Sequence, residues 1–114
     1  MEYEVITIGD KDHPIKFGFN ALRKYSLMTG TKLSELDQLG SDMDLNAALT
    51  LCYCGIQDGY RAAKKDFTLS IDDLADQFDG NWGSLEKIFT VLAKHMTDGL
   101  DKEKKKPAKK AKKK

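Results

Sequence analysis

Residues 45–63, LNAALTLCYCGIQDGYRAA, contain the longest regular apolar pattern in the chain. A 3.6-residue period places seven of these positions on one helical face. They are Leu45, Leu49, Cys52, Tyr53, Ile56, Tyr60 and Ala63. Either Ser41 or Asp44 is a suitable N-cap, because a short polar side chain can accept a hydrogen bond from the first turn. The sequence therefore predicts a helix over this run.

Two shorter helical patterns precede this run. Asn20 is a candidate N-cap, and the apolar stripe that follows it is interrupted at Gly30, a residue typical of the position just after a helix. The stripe consists of Leu22, Tyr25 and Met28, with Ala21 beside it. The leucines at 33, 36 and 39 recur every third residue, which predicts a short helix or 3₁₀ segment that Gly40 ends.

Two further helices are predicted after the long run. Ser70 followed by Asp73 is typical of a helix start, with the serine as N-cap. After the turn residues 79–81, a last apolar stripe consists of Leu85, Ile88, Phe89, Leu92 and Met96. We expect this helix to end at Asp98–Gly99.

The N-terminus has the pattern of strands rather than helices. Residues 3–8 are rich in β-branched side chains, and Ile15, Phe17 and Phe19 alternate with Lys16 and Gly18. Residues 9–13, GDKDH, supply turn chemistry between them, so a β-hairpin is predicted. Two strands alone are marginal in water, and we expect the hairpin to lie on the helices.

The charge is divided between two parts of the chain. From Leu100 to Lys114 nine lysines stand against Asp101 and Glu103, a net of +7, which leaves residues 1–99 at −6 within a total of +1. The segment beyond Leu100 has no apolar residue larger than alanine and is expected to be disordered. We therefore predict a mainly α domain of about five helices with an N-terminal hairpin over 1–99, and a basic tail over 100–114.

Composition points to a reducing compartment. Two cysteines cannot form a disulfide framework, and the N-terminus MEYEVITIGD lacks a basic region followed by an apolar stretch. Residues 45–56, the longest apolar-rich stretch, are too few to cross a bilayer. We expect a cytoplasmic protein without a membrane span.

Few residues suggest chemistry. Cys52 and Cys54 are two apart on a helix, so their sulfurs diverge and cannot hold one ion, which favours a core role. His13 is expected in a turn, and His95 has no partner at ligand spacing. Acidic residues near 72–76 suit the positive end of a helix dipole. We predict no catalytic residue, metal site or cofactor, and hence no enzyme.

Two features admit more than one interpretation. Trp82 can be a partner's anchor or can close one end of the core. The lysine tail can be a solvated segment, can bind phosphates without reading base sequence, or can precede further coding sequence. The lysines that would contact phosphate are Lys104, Lys105, Lys106, Lys109, Lys110, Lys112, Lys113 and Lys114.

The order of these patterns resembles the tail assembly chaperones of long-tailed, siphovirus-like bacteriophages. The resemblance covers about residues 3–98. It rests on the hairpin running into KFGFNALRKYSLMTG, and on KLSELDQL, ALTLCYCGIQDG and FTLSIDDLADQFDG. It implies a small helical binding protein that keeps the tape-measure protein soluble in the host cell cytoplasm until tail-tube subunits polymerise around it.

The resemblance also implies a longer product made by frameshifting near the end of the gene, and A-rich lysine codons would suit the slippery site. The resemblance matches core positions and does not indicate which residues contact a partner. We therefore predict the contact surface separately, as the hairpin and the loop at 82, with Phe17, Phe19 and Trp82 as binding residues. Self-association is a further possibility. The alternative hypothesis is a small nucleic-acid-associated protein whose lysine tail binds phosphates non-specifically while its helical body dimerises.

Overall fold

The computed structural model describes residues 2–39 and 43–105. The described elements follow the order β1 (Glu4–Ile8), β2 (Lys11–Ile15), α1 (Phe19–Thr29), a 3₁₀ helix (Leu33–Gln38), α2 (Leu45–Ala62), α3 (Ile71–Gln77) and α4 (Gly83–Lys105). The protein is mainly helical, with five helices in the described residues and an N-terminal two-stranded antiparallel hairpin. The predicted fold class is confirmed.

Helix α2 lies at the centre of the fold. Helix α1, strand β2 and helix α3 all pack against it. Because neighbours cover more than one side, the buried set differs from the predicted stripe: Leu51, Cys54 and Gly55 are buried, whereas Leu45 is exposed. Asp44 is the N-cap, with its Oδ1 accepting from the Ala47 N–H at 2.7 Å. Ser41, the other candidate, lies outside the described residues.

Strand β2 and the residues that follow it approach α2 closely at two glycines, which have no side chain to keep the segments apart. A Cβ added to Gly59 would lie 2.2 Å from the Pro14 carbonyl oxygen, and one added to Gly55 would lie 2.4 Å from the Phe17 ring. The Lys16 N–H donates to the Gly55 carbonyl at 2.9 Å. This small-residue pair therefore admits a strand and an aromatic ring against the helix.

The hairpin differs in register from the prediction. Its turn is Gly9–Asp10, with Gly9 at φ +64°, and Ile8 pairs with Lys11. His13 accordingly lies in β2, not in a turn, and residues 16–18 connect β2 to α1 rather than extending the strand. Counting from a two-residue turn, Pro14 falls in a pair without ladder hydrogen bonds, so its missing N–H costs nothing there.

One helix end, one helix start and the 3₁₀ helix lie where local sequence signals predicted them. Gly30 follows α1 at φ +76° and its N–H donates to the Ser26 carbonyl. Ser70 caps α3 by accepting from the Asp73 N–H at 3.0 Å. The 3₁₀ helix forms where every third residue is leucine. The N-cap of α1, however, is Gly18 and not Asn20, so the helix begins at Phe19.

Helix α4 is longer than predicted. It continues through Asp98–Gly99 to Lys105, so the expected helix end is wrong, whereas the division of the chain into 1–99 and 100–114 stays a prediction. A single interior glycine costs only about 1 kcal/mol relative to alanine, and Leu100, Lys102 and Glu103 are good helix formers. Residues 106–114 lie outside the described residues, and their predicted disorder stays a prediction.

Replacing Gly59 with alanine tests the crossing of β2 over α2. Alanine in a helix is intrinsically more stable than glycine, but here the new methyl group meets the Pro14 backbone, which cannot rotate away. We expect Gly59→Ala to lower the free energy of unfolding by roughly 1–3 kcal/mol in chemical denaturation.

Gly83→Ala is the matched control. Gly83 is also helical, and a Cβ there has nothing within 4 Å. Its free energy of unfolding should stay level or rise by up to about 1 kcal/mol. An unchanged or more stable Gly59→Ala variant would show that the strand does not depend on this approach.

Candidate partner-binding surfaces

The three predicted binding residues have different environments. Phe17 is 2% exposed and packs over Gly55 in the core, so its assignment to a contact surface is corrected. It is buried because its ring occupies the space that a side chain at Gly55 of α2 would fill. Phe19 is 86% exposed and Trp82 is 65% exposed. The last two lie in separate apolar clefts.

Phe19 belongs to a cleft between α1 and the 3₁₀ helix, named here the α1 groove. Its volume is about 340 Å³. The lining consists of Phe19, Leu22, Arg23, Ser26 and Leu27 from α1 and of Leu33 and Leu36 from the 3₁₀ helix. Leu33 is 83% and Leu27 is 72% exposed. Three large apolar side chains therefore face solvent around one groove.

The walls of the α1 groove are held by local hydrogen bonds. The Ser26 hydroxyl donates to the Thr31 carbonyl across the α1 end. Glu35 Oε1 accepts from the Lys32 N–H at 2.8 Å at the start of the 3₁₀ helix. A 3₁₀ helix places residues three apart on the same side, which aligns Leu33 with Leu36. The groove is thus a fixed feature of two adjoining helices.

Sequence reasoning missed Leu27 and Leu33 as surface residues. The available signal was that α1 is apolar on two sides: Ala21 and Tyr25 on one, Phe19 and Leu27 on the other. Only the first pair is buried. A short helix with two apolar faces leaves one of them for another partner.

Trp82 lies in a second, smaller cleft, named here the Trp82 cleft. It measures about 190 Å³ and is lined by Leu45, Ala75, Phe78, Asp79, Trp82 and Leu85. Asn81 holds the adjoining loop by donating from Nδ2 to the Gln77 carbonyl at 2.9 Å. The cleft joins the starts of α2 and α4 to the end of α3.

Charge differs between the two clefts. Among the described residues, Arg23 is the only charged one that lines the α1 groove, and Asp79 is the only charged one that lines the Trp82 cleft. Arg23 donates from Nε to Asn20 Oδ1 at 3.0 Å, and this hydrogen bond restrains the Arg23 side chain.

Both histidines are buried and link elements of the scaffold. His13 Nε2 is 2.7 Å from Gln77 Oε1, and its Nδ1 is 2.8 Å from the Tyr60 hydroxyl. Because an amide oxygen only accepts, Nε2 carries a proton, and in the neutral imidazole Nδ1 then accepts from the Tyr60 hydroxyl. His95 Nδ1 accepts from the Phe17 N–H at 3.1 Å. Neither histidine lines either cleft.

Burial makes the two thiols unreactive. Desolvation raises the pKa of Cys52 to about 12 and that of Cys54 to about 11. The Cys54 thiol also donates to Met28 Sδ at 3.7 Å. Both are free cysteines of the core.

Three aspartates have structural roles in the helices. Asp72 and Asp73 lie in the first turn of α3, where they face the positive end of the dipole. Asp58 is buried in α2 and pairs through Oδ1 with Arg61 at 2.8 Å. Within residues 2–39 and 43–105 no three His, Cys, Asp or Glu side chains are grouped to hold a metal ion.

Glu4 connects the hairpin to α4. Lys94 Nζ donates to Glu4 Oε2 at 2.8 Å, and this hydrogen bond holds the pKa of the Glu4 carboxyl below its ordinary value. A depressed carboxyl pKa adds stability above the unfolded value, and that stability is lost as the pH falls through the folded value. The pair is solvent-exposed, so its contribution is small.

No protein-family model, curated protein or solved structure matches this chain. The candidate sites therefore rest on the geometry alone. Among the described helices none has both the length and the apolarity needed to cross a membrane.

Thiol titration tests the assignment of the cysteines to the core. At a pH of about 8, a thiol with a pKa of about 11 is roughly one part in a thousand thiolate, and the fold also blocks the reagent. We expect neither Cys52 nor Cys54 to react with a disulfide reagent in the native protein. Both thiols should react at once in denaturant. If one thiol per chain reacts rapidly in the native protein, the assignment of both cysteines to the core is wrong.

Proposed function

We propose that this chain is a tail assembly chaperone of a long-tailed bacteriophage. In this role it binds the tape-measure protein, keeps it soluble in the host cell cytoplasm and helps to recruit tail-tube subunits, without catalysing a reaction. The observation that carries the proposal is the α1 groove, a pre-formed apolar surface on a protein whose buried nucleophiles and histidines are used by the scaffold.

The size of the groove suits a complex that must later release its partner. Burying a Phe or Leu side chain contributes roughly 1.5–3 kcal/mol, and three exposed side chains line the groove. Association itself costs on the order of 4–15 kcal/mol. Because gain and cost are comparable, one groove favours reversible binding, and tight retention needs the Trp82 cleft or several chains on one long client.

The resemblance found in the sequence is the second ground for the proposal. The segments that carry the resemblance correspond to the end of the hairpin with α1, the 3₁₀ helix, the middle of α2 and α3, in that order. A net charge of −6 on residues 1–99 would help to keep a complex with apolar client segments in solution.

Co-expression with the tape-measure protein tests this function. We expect the parent chain to hold the tape-measure protein in the soluble fraction and to co-purify with it. The Phe19→Ser/Leu33→Ser double variant should lose most of that retention, because both apolar contacts are removed from an exposed surface without touching the core.

Val5→Ser is the control. Val5 is 62% exposed on β1 and lines neither cleft, so this variant compares the hairpin, the other contact surface predicted from the sequence, with the α1 groove proposed here. It should retain the tape-measure protein as the parent does. If the parent chain fails to retain the tape-measure protein, the proposal is wrong. If the Phe19→Ser/Leu33→Ser variant retains the tape-measure protein as well as the parent chain does, the α1 groove is not the surface that binds it.

A second candidate, non-specific binding to nucleic acid, is favoured by the charge split. Each lysine that neutralises a DNA phosphate adds about −0.9 to the slope of log K against log salt. Removing residues 106–114 deletes six lysines and leaves all the described elements intact.

We expect this deletion to leave retention of the tape-measure protein unchanged, because both clefts are formed by residues 19–85. Retention on DNA should be measured in parallel over a range of salt concentrations. The second candidate wins if the full chain shows a steep salt dependence that the deletion abolishes while neither form binds a tail protein.

A further inference from the structure

Of the described residues that line the α1 groove, Arg23 alone is charged. Arg23 shares the groove with five apolar side chains and Ser26. Its described hydrogen bond is from Nε to Asn20, which leaves the two Nη groups to donate elsewhere. A partner that covers the groove removes water from this guanidinium, and a buried charge without a counter-charge is strongly unfavourable.

The groove has the dimensions of a short helical contact. Phe19 and Leu27 mark its ends along α1, and eight residues at 1.5 Å each span about 12 Å, or roughly two helical turns. Its two walls are helices, so a third helix can place its ridge between them. Such a ridge presents apolar side chains at i, i+3 or i+4, and i+7.

We propose that the α1 groove binds an amphipathic α-helix of the client whose apolar stripe is flanked by a carboxylate that pairs with Arg23. The planar guanidinium can donate two parallel hydrogen bonds to one carboxylate, which fixes the register of the helix in the groove. This inference rests on the proposed function and adds the chemistry of the client segment.

A second copy of this chain is a poorer occupant. A two-fold pairing of the groove with itself would bring two Arg23 side chains into one interface. Within residues 2–39 and 43–105, no acidic residue lines the groove to neutralise them. An acidic client helix supplies the missing counter-charge.

Two synthetic helical peptides of about 18 residues, roughly five turns, test the inference. Both carry the same leucine stripe; one has glutamates and the other lysines at the flanking positions. Binding to the full chain is measured by fluorescence anisotropy of the labelled peptides. We expect the glutamate peptide to bind at least about tenfold more tightly.

Charge reversal distinguishes pairing with Arg23 from general attraction. Arg23→Glu should weaken the glutamate peptide by about tenfold and strengthen the lysine peptide. Lys87→Glu, the same charge reversal at an exposed residue that lines neither cleft, is the matched control and should leave the ratio of the two affinities near the parent value. Phe19→Ser/Leu33→Ser should abolish binding of both peptides, because it removes two of the apolar side chains that line the groove.

Equal affinity of the two peptides, or a preference that Arg23→Glu does not alter, would overturn the inference. A dimer in sedimentation that the Phe19→Ser/Leu33→Ser variant dissolves, with no peptide binding, would overturn it in favour of self-association. If the tape-measure protein is retained but neither peptide binds, the inference fails and the proposed function stands. If the glutamate peptide binds as expected but no tape-measure protein is retained, the inference stands for another client.

Discussion

The contact between β2 and α2 is the constraint on which the rest of the fold depends. The Pro14 carbonyl and the Phe17 ring occupy the space that side chains at 59 and 55 would fill. The hydrogen bond from Lys16 to the Gly55 carbonyl fixes the strand along the helix. A hairpin that would be marginal alone is thereby held against the central helix α2, and β1 then packs on α4.

This contact also determines which side of α1 reaches solvent. The chain passes through the buried Phe17 and enters α1 at Phe19, so the start of the helix is tied to the core. Ala21 and Tyr25 then face α2, and the opposite side of α1 carries Phe19 and Leu27 outward. The 3₁₀ helix closes the second wall with its leucines. An apolar groove is a consequence of a short helix that has apolar residues on both sides and only one neighbouring core.

The groups that carry chemistry in other proteins stabilise the scaffold here. His13 joins β2 to α2 and α3, His95 joins α4 to the connection after β2, and both thiols are buried. The α1 groove and the Trp82 cleft offer other molecules apolar area with one charged residue among the described residues that line each. That arrangement suits recognition of a polypeptide by shape and by a single counter-charge, which is the basis of the proposed chaperone function.

The sequence by itself determined the features that depend on neighbours within a few residues. Ser70 and Asp73 started α3, Gly30 ended α1, the triplet spacing of leucines produced the 3₁₀ helix, and the fold class followed from these elements. Tertiary structure decided the hairpin register, the burial of Phe17 and the exposure of Leu27 and Leu33. Each of these depends on contacts between distant segments, such as Phe17 with Gly55, and hydrophobic periodicity shows that a face is apolar without showing which neighbour covers it.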